Sequence, residues 1–107
     1  MKAGAPVSLT ELRERFKPFC ERHRVRRLEV FGSAARGEGT GLSDVDLLVT
    51  LERPESVSVA ELLEMAGEAE EIAGRPVDFV LRDAIERSPN RFARAEILAS
   101  AVCIYGS

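Results

Sequence analysis

Four glycines, Gly32, Gly37, Gly39 and Gly41, fall within ten residues between two short apolar runs. No long helix survives that spacing, because glycine gives up the most backbone entropy on ordering and readily takes left-handed turns. The flanking runs, Arg27 to Phe31 and Val45 to Leu51, therefore read as strands, joined by an irregular loop with room for a single helical turn after Ser33. The stretch does not match several familiar ligand-binding loops. A dinucleotide fold needs a full crossover helix between its first two strands. A Walker loop needs Lys and then Ser or Thr after its second glycine, whereas Gly37 is followed by Glu38 and Gly39. An EF-hand counted from Asp44 would have Leu48 and Val49 where an oxygen ligand and a glycine are required.

The second strand opens with acid. Side chains on a strand alternate faces, so Asp44 and Asp46 share one face while Val45, Leu47, Val49 and Leu51 share the other. Like charges about 6.5 Å apart repel, and a hard cation between them removes the repulsion. At the other end of the loop, Gly32 lets the backbone come close to a ligand, and Ser33 offers an amide and a hydroxyl to a phosphate oxygen. Arg36 can face either that phosphate or the acidic strand. A phosphate cradle beside a metal clamp is the chemistry of phosphoryl transfer, in which two Mg²⁺ ions about 3.5 to 4 Å apart serve the attacking and leaving oxygens. Taken singly, the residues have plainer readings: Asp44 as a turn cap after Ser43, Asp46 as a strand residue facing water, Gly32 and Ser33 as an ordinary strand exit.

The rest of the chain frames this stretch. Ser8 with Glu11 forms a capping box, and Leu9, Leu12, Phe16, Phe19 and Cys20 lie on one face of a helix from Leu9 to His23, with a kink or break expected at Pro18. Ser58 with Glu61 opens a second helix whose apolar stripe of Val59, Leu62, Leu63, Ala66, Ala69, Ile72 and Ala73 ends at a Gly74 cap. Val77 to Leu81 is a third strand with Val77, Phe79 and Leu81 on one face and Asp78 and Val80 on the other. Ser88 and Pro89 start a third helix carrying Phe92 to Ala101, in which Arg91 and Arg94 either face the cleft or are solvated. Val102 to Tyr105 is a last edge strand or a docked tail.

With 107 residues, 45% hydrophobic and 31% charged, residues 1–107 are expected to form one domain of α/β (α+β) class. The expected architecture is a small mixed β-sheet of three or four strands with helices packed on one face and the carboxylate face open. A net charge of -3 argues against direct nucleic-acid binding. The basic run Arg22, His23, Arg24, Arg26 and Arg27 reads as a solvated helix end or a docking patch. Cys20 and Cys103 sit in apolar settings and are expected in the core. No stretch has the length of a membrane span or a leader, so a cytoplasmic location and no membrane partner are expected.

Gly32-Ser33, then Ala35-Arg36-Gly37, then Ser43-Asp44-x-Asp46-Leu47 resembles the signature of the minimal nucleotidyltransferases (MNT), in the DNA polymerase beta-like nucleotidyltransferase superfamily. The likeness spans most of the chain. It implies a nucleotidyltransferase fold, ATP or another nucleoside triphosphate as substrate, and Mg²⁺ held by Asp44, Asp46 and Asp78, the last carboxylate coming from the strand after the long helix. It also implies a helical HEPN-family partner, with this chain as an antitoxin that transfers AMP from ATP to a tyrosine of that toxin. Two other readings stay open: a non-catalytic antitoxin that blocks its partner by occlusion, and nucleotidyl transfer to a small molecule. Homodimer formation is open as well.

Overall fold

Ser8 caps the first helix by accepting a hydrogen bond at Oγ from the Glu11 amide, 3.2 Å away, in a computed structural model that describes residues 8–32 and 45–106. Helix α1 then runs Leu9–Arg22 and buries Leu12, Phe16, Phe19 and Cys20. It continues through Pro18 without the expected break. Pro18 lies on the exposed face, where the Glu14 carbonyl that loses its donor can turn to water.

Strand β1, Val25–Phe31, starts two residues before the expected position and pairs antiparallel with β2, Val45–Leu51. A short 3₁₀ turn at Pro54–Ser56 leads to α2, Val59–Ala73, capped by Ser58 Oγ at one end and by Gly74 at φ +72 at the other. Strand β3, Val77–Leu81, lies parallel to β2, with α2 as the crossover that a parallel pair requires. Two elements follow, α3 at Arg82–Glu86 and α4 at Arg91–Ser100, before β4 at Val102–Gly106 closes the far edge. The sheet order is β3-β2-β1-β4. The last apolar residues are thus an edge strand paired with β1.

The core lies between the sheet and the pair α1 and α2. Val45, Leu47, Val49 and Leu51 of β2 and Leu28 and Val30 of β1 meet Phe16, Phe19, Met65 and Ala69 there. Each of these side chains larger than alanine contributes about 1.5–3 kcal/mol by leaving water. The opposite face is partly covered too: Leu48 is fully buried and Glu29 is only 3% exposed. The segment 82–100 has to pass from the β3 edge to the β4 edge, and Arg82 Nη1 lies 2.6 Å from Glu29 Oε1, which places that passage on this second face.

Helix α3 was absent from the sequence reading, and α4 starts at Arg91 with Pro89 outside it. Ser88 Oγ accepts from the Asn90 amide at 3.3 Å, so it shapes the turn before α4. Cys20 is buried, whereas Cys103 is half-buried on β4, an edge strand of the sheet among the described residues. Among the described residues no helix is long and apolar enough to cross a membrane.

Candidate active site

Alternation along β2 sends Val45 and Leu47 into the core and Asp46 to the second face. The same rule applies on β3, where Val77, Phe79 and Leu81 pack against the core and Asp78 is exposed. Asp46 is in register with Asp78 across the parallel pair and with Phe31 across the antiparallel one. In-register partners project to the same side of neighbouring strands about 4.8 Å apart. Two carboxylates predicted from separate parts of the sequence thus stand side by side.

Gly32, the residue after Phe31, has φ +73, and a Cβ built on it would overlap Oδ2 of Asp46. The glycine was expected to admit a ligand; what the structure shows it admitting is the Asp46 carboxylate against the backbone. Any larger residue would both strain the turn and displace that carboxylate. Ser33, Arg36 and Asp44 lie outside the described residues.

Arg94 is engaged within its own segment. Its Nη1 donates to the carbonyls of Glu86 and Ser88 at 3.2 and 3.3 Å, tying α4 to the end of α3. Arg91 is exposed at the start of α4. What the sequence reading passed over is Glu29, one charged residue in the apolar run Leu28 to Phe31. It lies on the Asp46 face, and besides Arg82 it has Arg27 Nη2 at 3.4 Å from Oε2. Burial lowers the Arg82 pKa, and the hydrogen bond and charge of Glu29 outweigh it, so the guanidinium is held more firmly protonated than usual. The signal was a glutamate in strand context; its partner 53 residues on was not readable.

Oxygen ligands suit a hard divalent cation such as Mg²⁺, and the space left by Gly32 beside Asp46 keeps the carboxylate seated at the strand end. Asp46 and Asp78 are the members of the expected carboxylate set among the described residues, where no group of three metal-binding side chains comes together. Asp44, immediately before β2, is the third residue of the expected set.

Comparison with known proteins bears on the family and the fold. The family model described as nucleotidyltransferase domain matches residues 11–103. The protein adenylyltransferase MntA of Thermococcus cleftensis is 40% identical over 76 residues, which cover 71% of this chain and 68% of that protein. A solved structure of a provisionally described minimal nucleotidyltransferase superposes with a TM-score of 0.69 at 33% identity, covering 92% of this chain and 98% of the other. A chain from the complex of a tri-AMPylated Shewanella oneidensis HEPN toxin with its MNT antitoxin shares the fold, with a TM-score of 0.64 at 14% identity over 94% of this chain and 74% of that one.

Proposed function

This chain belongs to the nucleotidyltransferase domain family, and from that premise we propose that it is a Mg²⁺-dependent protein adenylyltransferase, the antitoxin of a toxin–antitoxin pair, which moves AMP from ATP to a tyrosine hydroxyl of a HEPN-family partner. The observation that carries this reading is the in-register pair Asp46 and Asp78 beside Gly32. The name of the Thermococcus cleftensis relative supports protein as the acceptor class, and the Shewanella oneidensis complex supports the HEPN partner.

In the reaction an O–P bond forms between the acceptor hydroxyl and the α-phosphorus of ATP, and the bond from that phosphorus to pyrophosphate breaks. Asp44, Asp46 and Asp78 would hold the Mg²⁺ ions, which supply positive charge against the triphosphate when bound. The backbone at Gly32 and the amide and hydroxyl of Ser33 receive phosphate oxygens, and Arg36 adds charge there. Asp78 is the more exposed carboxylate, so a macromolecular hydroxyl can reach it and leave its proton on a carboxylate oxygen. An acceptor that is itself a protein completes the wall that so small a domain lacks.

The test is incubation of the chain with ATP, Mg²⁺ and the protein encoded beside it, followed by intact-mass measurement. The expected result is a partner heavier by one AMP or a small multiple. The double variant Asp44→Asn with Asp46→Asn should slow transfer by about 10²- to 10³-fold while still binding the partner. An unmodified partner that is nonetheless silenced by that variant would replace catalysis with occlusion.

A further inference from the structure

At the end of the sheet away from Asp46, where Val25 pairs with Leu51, a cavity of about 200 Å³ opens between the end of α1 and the first turns of α2. Six strand residues of about 3.3 Å separate Val25 from Phe31, so this cavity lies roughly 20 Å from the carboxylate pair. Its floor is apolar, made by Leu51 and Met65, and its rim carries Arg24, Arg53 and Ser56.

The charges around it are unevenly matched. Arg22 and His23 also line it, but both are engaged by Glu68: Arg22 in an ion pair, and His23 through Nε2 at 2.9 Å from Oε1. Burial, then the neighbouring Arg22, lowers the His23 pKa, so the positive charge here at neutral pH belongs to arginines. Glu61 is a carboxylate in the lining. Arg24 and Arg53 form no ion pair among the described residues.

The backbone gives a second, separate indication. Arg24 has φ +54 and is the one non-glycine residue with positive φ among those described. Its carbonyl accepts from the Glu52 amide at 3.1 Å, which pins the turn to the end of β2. Glycine would take this conformation at lower cost, so an arginine held there points to a use for its side chain. On the facing turn, Ser56 Oγ donates to the Arg53 carbonyl at 3.0 Å and holds that residue's backbone in place.

We propose that this cavity is a second binding site, for a phosphate-bearing small molecule whose phosphoryl oxygens accept hydrogen bonds from Arg24 and Arg53 while its remainder lies against Leu51 and Met65. Guanidinium groups match phosphate in shape and charge, and neither of these two has to leave an ion-pair partner among the described residues to bind it. The proposal stands independently of the reaction assigned to Asp46 and Asp78.

Amide NMR titration of the full chain tests it, with inorganic phosphate and AMP as separate probes and no added Mg²⁺. The expected result is saturable shifts at Arg24, Arg53 and Ser56, weakened at least tenfold in the folded double variant R24G/R53Q. Because Arg24→Gly relieves the turn, that single variant should melt no lower than the parent, which separates lost binding from lost folding. Saturation by phosphate with AMP excluded identifies the free ion as ligand, and tighter binding of AMP identifies a phosphomonoester; either sustains the site. Shifts confined to Gly32, Asp46 and Asp78, shifts that never saturate, or unchanged affinity in the double variant would overturn it.

Discussion

Gly32 meets two demands with one missing side chain: a φ of +73 and an Asp46 carboxylate where a Cβ would stand. Gly74 meets only the first, since its φ is +72 and nothing lies near its open side. The two therefore form a matched pair. Gly74→Ala should cost about 1–2 kcal/mol in urea unfolding and leave AMP transfer intact. Gly32→Ala should cost a similar amount and also lower the transfer rate by about 10²-fold, because it moves Asp46. Equal transfer by both variants would show that Gly32 serves the turn alone. The glycine itself was legible in the sequence as a turn before an acidic strand. Its contact with Asp46 was not, because that depends on Phe31 and Asp46 falling opposite each other in the sheet.

At the scale of elements, α3 is held less by its own sequence than by a distant strand. Leu81 at its N-cap contributes no side-chain hydrogen bond, and five residues give little helix on their own. What fixes it is Arg82, bonded to buried Glu29 on β1 and to Glu86 one turn on at 3.3 Å. Arg82→Ala should cost about 2–4 kcal/mol in chemical denaturation, since among the described residues it leaves the buried Glu29 carboxylate with Arg27 alone as a cationic neighbour. Arg82→Lys should recover part of that loss, and a neutral result for Arg82→Ala would mean that water reaches Glu29. This also explains which elements could be read beforehand. Helices α1 and α2 and strand β3 carry local signals, in caps at Ser8 and Ser58, a terminal Gly74 and alternation around Asp78. Helix α3 rests on a partner 53 residues away, and Pro18 was tolerated because of which way its face points.

For the whole molecule, the core joins α1 and α2 to one side of the sheet, and Cys20 reports on its integrity. Burial, then nearby Glu21, pushes the Cys20 thiol from its ordinary 9.0 up to about 12. An unfolded chain releases that proton near pH 9.0 while the folded chain keeps it. The group's contribution is therefore constant below about pH 9, and stability falls as pH rises from there toward 12. Urea titrations across that range should show a shallower alkaline decline in Cys20→Ala. Thiol labelling of the parent should be biphasic, with half-buried Cys103 reacting first and Cys20 only at the rate of unfolding.

The order β3-β2-β1-β4 also bears on how the protein is made. One side of β1 is claimed by residues 45–51, but the other waits for residues 102–106. While the ribosome is still adding the passage between them, β1 presents an unclaimed row of amides and carbonyls to neighbouring nascent chains. A chain released before Val102 would keep that edge of β1 exposed.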